Sequence, residues 1–552
     1  MELNKRTILW IVFSVALVAL GDRWTTANGG RSMFSMAPAP VASAPKAVNA
    51  NAGVPSATPS AAAALATPTG TPNAAPALAG ERVTITTDVI KATINTAGGV
   101  IERLELLKHR DGVDPTKNQV LFDNNGHDVY LAQTGLIGAA GAPALPNHTT
   151  VFAAKPGTRS LEDGNQAQLV LVADQGGVKL TKTYTFTRGD YQIDVRHDVS
   201  NETGAPITPS LYLQLVHDGN KPPAPMFGSS YTGPTLFTEA AKYEKLEFEK
   251  IEKNKAEHAT KADNGWIAIS QHFFVSAFVP PQKAQREIFT KKVDTNLYAI
   301  GTILPMPAVA PGATVSMDSK LYSGPQESHI LESVAPGLEL VKDYGVLTVV
   351  AKPIFWLMEK IHGVMGNWGW TIIVLTILIK LAFFPLSAAG YRSMAKVKMV
   401  TPKMTAIRER YKNDPQKMNQ ATMELYKTEK INPLGGCLPL LVQMPVFFAL
   451  YWVLQASVEM RGAPWVLWIH DLTVQDPYFV LPVLYMISMV VTQKLSPAPA
   501  DPMQAKMMMF MPIIFSVMFA FFPSGLVLYW VVNNILSIAQ QWVITKKFEA
   551  AK

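Results

Sequence analysis

The chain has 552 residues, 48% of them hydrophobic and only 16% charged, which excludes a soluble protein of ordinary make-up and points to membrane segments. Its formal charge of +7 would suit nucleic acid, but in a membrane protein the informative question is which loops carry Lys and Arg, and no sequence-specific nucleic-acid partner is expected. The lone cysteine, Cys437, excludes an intrachain disulfide, so a large exported part has to fold on its core alone.

Lys5 and Arg6 precede the apolar run TILWIVFSVALVAL, which Gly21-Asp22-Arg23-Trp24 closes. Fourteen residues fit a signal-peptide core, since a full span needs about 20, yet Trp24 extends the run toward a far interface. On these residues a cleavable signal and a retained anchor over residues 1–27 both stay open, and either exports the downstream chain. Residues 28–80 are almost entirely Ala, Pro, Thr, Ser, Gly and Asn, a composition that builds no core and reads as a disordered tether.

Over residues 81–335 the period becomes two. Val178, Leu180, Lys182, Tyr184 and Phe186 alternate with threonines, Arg188-Gly189-Asp190 turns the chain, and Tyr191, Ile193, Val195, His197 and Val199 alternate again, the pattern of a long half-buried hairpin. Similar patterns in ITTDVIKATI, SLYLQLV, HFFVSAFV and ATVSMDSKLY predict a large antiparallel β-sandwich. His197, His217 and His272 have no acidic partner or metal spacing in the sequence and read as ordinary surface or core residues.

Residues 336–367 mix apolar residues with Lys342, Asp343, Lys352, Glu359 and Lys360, and contain Pro353. This predicts an amphipathic helix along the outer interface, broken or kinked at the proline. The region 368–545 holds five candidate spans, near Trp368–Leu386, Cys437–Ser457, Phe479–Gln493, Met507–Phe522 and Leu526–Val543, six with the N-terminal segment.

The loop 391–430 carries ten Lys or Arg against four Asp or Glu, whereas the loop Val458–Tyr478 holds Glu459, Asp471 and Asp476 against Arg461 alone. The first therefore belongs in the cytoplasm and the second outside, which also puts the N-terminus and the short basic tail 546–552 inside. The basic loop reads as a helical hairpin, with Thr401-Pro402 as one N-cap and Asn413-Asp414-Pro415 starting a second helix that ends near Asn432-Pro433. Arg408, Arg410, Lys412 and Lys417 are candidates for docking a ribosome or a nascent chain. A solvated loop obeying the positive-inside rule explains the same charge.

At 100° per residue Gly369, Thr376, Lys380 and Ser387 share one line down the second span. Tyr529, Asn533, Ser537 and Gln540 form another on the last, and Gln443, Gln455, Ser488 and Thr492 lie on the spans between. Polar groups in hydrocarbon face a bundle interior or a wet cavity, so these stripes are expected to converge. The competing reading is helix-to-helix bonding, with Lys380 snorkelling across about 9 Å of helix rise. The methionines, among them Met507–Met509 and Met511, suit either partners of varied shape or plain core filling. A P-loop, a metal-spaced His or Cys cluster, HExxH and a histidine within the five C-terminal spans to activate Ser524 are all missing. Neither ATP-driven transport nor intramembrane proteolysis is expected, and neither a cofactor nor a metal.

The segments GNWGWTIIVLTILIK, INPLGGCLPLLVQMPVFFALYWVL, WIHDLTVQDPYFVLPVL and FPSGLVLYWVVNN, in that order, resemble the YidC membrane protein insertases across nearly all of residues 336–552. The N-terminal anchor, tether and β-domain resemble the Gram-negative form. The resemblance implies an uncleaved first segment, a periplasmic β-supersandwich, and an α-helical five-helix insertase core. That core would enclose a hydrophilic groove, open to cytoplasm and lipid and closed on the periplasmic side. Lys380 stands where the family has an arginine, which keeps the charge but not the bidentate fork. Thr376 matches the groove threonine. Tyr529 matches one of a tyrosine pair, and Trp530 replaces the other. Gln443, Met444 and Phe447 fall at substrate-contacting positions.

The implied function is insertion, folding and assembly of nascent inner-membrane proteins in the lipid bilayer without ATP, alone or with the Sec translocon and the ribosome. It is not an enzyme. A solute transporter, which would need internal repeats not found here, and a pure assembly scaffold are the rivals.

Overall fold

The computed structural model describes residues 54–55, 80–112, 114–126, 128–138, 144–161, 164–220, 231–411, 414–429, 438–495 and 502–550. The expected anchor, nearly all of the tether, Lys412 and Cys437 lie outside the described residues.

Two antiparallel sheets, one of ten strands and one of nine, occupy Arg82–Pro325 among the described residues. The hairpin read from the sequence is present as strands Val178–Thr187 and Gln192–Asn201, with Phe186 opposite Ile193, Tyr184 opposite Val195, and Lys182 opposite His197. Its alternation places Val178, Leu180, Lys182, Tyr184 and Phe186 in the interior. The facing sheet contributes Val129–Ile137 and Ser210–Asp218 from its middle. ITTDVIKATI contains two strands rather than one, because the Thr87 hydroxyl accepts the amides of Val89 and Ile90 and turns the chain there.

The expected amphipathic helix over 336–367 is shorter than its pattern. Two 3-10 turns, Leu338–Val341 and Gly345–Leu347, precede helix α1, Thr348–Met365. Gly337 and Gly345 hold positive φ values of 76° and 62°, which a continuous right-handed helix does not admit. Pro353 lies inside α1 without ending it.

Helix α2, Trp368–Ala382, is followed after Phe383 by α3, Phe384–Arg410, at a bend of 68°. The expected span to Leu386 therefore breaks early. Pro385 has no amide to bond the Leu381 carbonyl, and its ring collides with that carbonyl. Ser387, expected in line with Lys380, stands beyond the bend on α3.

The reading of Thr401-Pro402 as an N-cap is also corrected. Helix α3 runs through both residues, and the Thr401 hydroxyl donates to the Val397 carbonyl at 3.1 Å instead of capping. The turns next to it, Ala395–Thr401, contain no Gly, so the helix propagates across the single bond the proline removes. Helix α4, Pro415–Thr428, starts as read, with the Asp414 carboxylate accepting the Lys417 amide at 3.0 Å. It ends ahead of the expected Asn432-Pro433. Lys403 meets Glu429 at 2.5 Å, so the pair is antiparallel.

The remaining helices are α5, Leu438–Ala456, α6, Val480–Leu495, α7, Pro502–Phe519, and α8, Ser524–Ala550. Among the described residues one stretch, Ser524–Lys547, is by itself long and apolar enough to cross a membrane, and α2 with α3 passes the same test as a bent pair. Residues Val480–Leu495 and Lys506–Phe519 are shorter apolar helices.

Candidate functional site: a polar interior in the helical core

Lys380, in the last turn of α2, is buried with 8% exposure. Its Nζ donates to Ser537 Oγ at 2.7 Å, and that hydroxyl donates on to the Asn533 carbonyl at 2.7 Å. No ion pair to Lys380 is seen among the described residues, and an ammonium taken out of water without a counter-charge calls for polar neighbours or water. The stripes on α2 and α8 thus meet at Lys380 and Ser537.

The same helical core holds buried polar atoms with no hydrogen-bond partner among the described residues: Gln443 Nε2 on α5, and Tyr529 Oη, Trp530 Nε1 and Gln540 Oε1 on α8. Tyr529 is 1% exposed and has Gln443 beside it, but not in hydrogen-bonding geometry. Trp530 packs on Phe447 with ring centroids 5.0 Å apart and on Phe519 at 5.8 Å, so its body serves an aromatic cluster while its indole nitrogen is left unpaired. Met444 is half-buried.

Other polar residues are engaged locally. The Thr376 hydroxyl donates to the Ile372 carbonyl of its own helix at 2.6 Å. Asn534 Nδ2 donates to Ser488 Oγ at 3.0 Å, and the Thr492 hydroxyl donates to the Ser488 carbonyl at 2.9 Å. These are the helix-to-helix and within-helix bonds of the competing reading. On the hairpin, Arg410 and Lys417 are exposed, Arg408 is half-buried, and Lys417 is 3.4 Å from Asp414.

The opposite end of the core is closed. Asn367 caps α2 and its Nδ2 donates to the Pro464 carbonyl at 2.9 Å. At the start of α8 the Ser524 amide donates to the Val474 carbonyl at 2.7 Å and the Gly525 amide to the Leu472 carbonyl at 3.0 Å. The loop therefore takes up orphan amides of the α8 N-terminus directly and holds the side chain of the residue that caps α2. Asp476, 1% exposed, holds that loop by accepting Trp468 Nε1 at 2.9 Å and the Leu481 amide at 2.8 Å. Trp465 packs so closely on Gly369 that a Cβ there would sit 2.2 Å from its Cδ1. Sequence reasoning placed Gly369 on the polar stripe, whereas its role is to make room for an indole. The Trp-rich stretch WVLWIHD was the available signal.

The β-domain touches the same loop and the end of α5 that leads into it. Arg461 Nη2 donates to Gln119 Oε1 at 3.1 Å and its guanidinium lies over Phe274 at 5.3 Å, while His272 Nε2 donates to the Gln455 carbonyl at 2.8 Å. His197 is buried, with Nε2 2.9 Å from Thr134 Oγ1.

The fold and the site define a protein of two parts, a two-sheet β-domain joined to a helical core with a polar interior. Residues 82–357 match the model of the YidC periplasmic domain, and residues 360–551 match that of the 60Kd inner membrane protein family. The chain is 60% identical to the membrane protein insertase YidC of Herminiimonas arsenicoxydans, covering 99% of each. It is likewise 60% identical to that of Janthinobacterium sp. (strain Marseille), covering 98% of this chain and 99% of the relative. A solved active YidC insertase with its first transmembrane domain resolved aligns with 84% of this chain and 92% of its own, at 17% identity and a TM-score of 0.39. The chain belongs to the YidC family.

Proposed function

We propose that this chain is a membrane protein insertase and chaperone that moves nascent membrane proteins into the bilayer of a bacterial inner membrane and helps them fold and assemble. The observation that carries the reading is Lys380, buried and bonded to Ser537 with no acid among the described residues, in a helical core that holds buried polar atoms without a partner among the described residues and is closed at its outer end. Such an arrangement suits a wet groove that enters from one side and stops. Asn367 and Lys380 are 13 residues apart on α2, about 20 Å of rise, so the groove shortens the hydrocarbon path of a polar tail.

No fuel is required. A 20-residue substrate helix gaining about 0.3 to 0.6 kcal/mol per residue releases roughly 6 to 12 kcal/mol on entering lipid, enough to offset about two or three charged residues carried across. Lys380, Thr376, Gln443, Met444, Phe447, Tyr529 and Trp530 would line the substrate path.

The division into anchor, tether, β-domain, interfacial helix and five-span polytopic core, six spans with the anchor, belongs to the same proposal, with both termini cytoplasmic and the β-domain periplasmic. The contacts of Arg461 and His272 support this orientation, since they put the acidic outer loop on the side of the β-domain. Cooperation with the Sec translocon, and ribosome docking on Arg408, Arg410 and Lys417, are further parts of it. The scaffold reading is favoured by the exposed Met507 and Met509 and is compatible with insertion.

The test uses purified protein in liposomes and a short single-span substrate with an acidic tail. Protease protection of the tail that depends on this protein and on no added ATPase is the expected result. Absence of protection with correctly oriented protein overturns insertion, and solute flux without any substrate would favour a transporter.

A further inference from the structure

The join between β-domain and helical core is built, not slack. Leu338 and Val341 are buried in the apolar core of the β-domain. Trp266 Nε1 donates to the Pro336 carbonyl at 3.2 Å, and Lys245 pairs with Asp343. Gly337, at φ 76°, presses its backbone on Phe237, where a Cβ would come within 2.6 Å of the ring. Only a few residues later Tyr344, Ala351 and Phe355 belong to the apolar core of the helices.

Lys342 stands between the two cores with its side chain fully buried. Its Nζ donates to both carboxylate oxygens of Glu459, at 2.7 and 2.9 Å, and lies 3.9 Å from the centre of the Phe355 ring. Glu459 sits in the 3-10 turn Val458–Met460 that opens the outer loop, and that turn straddles the same boundary: Val458 is in the β-domain core and Met460 in the helical core. Among the described residues Glu327, Glu359 and Tyr344 are the other titratable groups within electrostatic reach of the pair, and His329 faces the two glutamates in turn. One ion pair therefore ties the linker, α1 and the outer loop together.

The contacts continue into the groove. Phe355 stacks toward Trp368, the first residue of α2, with centroids 6.4 Å apart, and the loop beyond Met460 carries Trp465 onto Gly369. A buried, hydrogen-bonded ion pair is weak evidence for stability, but removing one partner leaves the other charge buried and uncompensated.

We propose that Lys342 is a positioning residue for insertion, fixing the outer loop and α1 against the β-domain so that the outer end of the groove stays closed. This rests on the insertase reading of the chain.

The test uses the full chain with Cys437→Ser and spin labels at Glu239→Cys on the β-domain and Leu467→Cys on the outer loop. The distance distribution is read without substrate, and insertion is measured separately. The unsubstituted pair and Lys342→Arg are expected to give a narrow distribution and full insertion. Lys342→Met and Glu459→Gln are expected to broaden it and to lower insertion about tenfold, within the range of substitutions that alter coupling from a distance. A distribution that stays narrow in both, or one that broadens with insertion unchanged, overturns the inference. Failure of the unsubstituted chain to insert overturns the functional reading and this inference with it. Thermal melting of the same variants in detergent separates the two cases, since positioning alone leaves the β-domain and helical core folded, and a lowered melting temperature that accounts for the lost insertion overturns the inference.

Discussion

Lys380 is the residue on which the insertase reading turns, and its chemistry is simple. It donates to Ser537 and is seen with no acid among the described residues, so its charge is available to acidic groups that enter beside it. Substituting Lys380→Arg preserves that charge, whereas Lys380→Glu reverses it and leaves two like charges to share a low-dielectric space. Insertion of substrates with acidic tails is therefore expected to fall on the order of tenfold in the Glu variant, about 1.4 kcal/mol, and to stay near normal in the Arg variant, measured by protease protection. Equal activity in both would remove the charge from the mechanism. Thr376, with its hydroxyl spent on Ile372, is the less consequential neighbour.

Elements matter here mostly through their ends. The break at Phe383 between α2 and α3 turns the chain by 68° and carries the basic helix away from the line of Lys380. The N-terminus of α8 takes amide partners from the outer loop, and the Asn367 cap of α2 donates its side chain to the same loop. Gly369 is the tightest point of that closure, so Gly369→Leu is expected to lift Trp465 and loosen the loop. Hydrogen exchange of the Ser524 and Gly525 amides, which donate to Val474 and Leu472, should speed by at least about tenfold, as expected for local opening. Unchanged protection would show that the indole contact does not hold the loop. Both elements were legible in outline, since the apolar runs and Asp414-Pro415 were read directly. The shortened α1 and the continuous α3 were not, because positive-φ glycines and the tolerance of Pro402 depend on neighbouring turns rather than on local pattern.

On the scale of the whole molecule the two sheets are stitched by buried polar groups. Lys182 Nζ donates to the Gly98 and Thr134 carbonyls, each at 2.8 Å, and lies 4.6 Å from the Phe152 ring centre. Burial nonetheless pushes it down to about 7, against about 10.4 for an exposed lysine. Between those values the unfolded chain holds a proton that the folded one has released, so stability rises with pH across the window and is lowest below about 7, where the charge must stay buried. Denaturant unfolding of the full chain in detergent, followed by exchange in strands 178–187 and 192–201, should show a slope worth a few kcal/mol, roughly, between pH 7 and 10. Lys182→Met should flatten it, and an unchanged slope would assign it to other groups.

Two periodicities determined much of this protein from sequence alone. Alternation of apolar and polar residues marked the strands, including the inward course of Lys182, and long apolar runs with a lopsided charge between loops marked the helical core and an expected orientation. Local pattern carries that information because it reflects which face of an element is buried. The meeting of Lys380 with Ser537, the packing of Trp465 on Gly369 and the Lys342–Glu459 pair join residues 157, 96 and 117 positions apart. Those contacts were decided by tertiary structure, because a hydrogen bond or a close approach of a few ångströms is set by how whole elements pack, and no one segment encodes the partner it will meet.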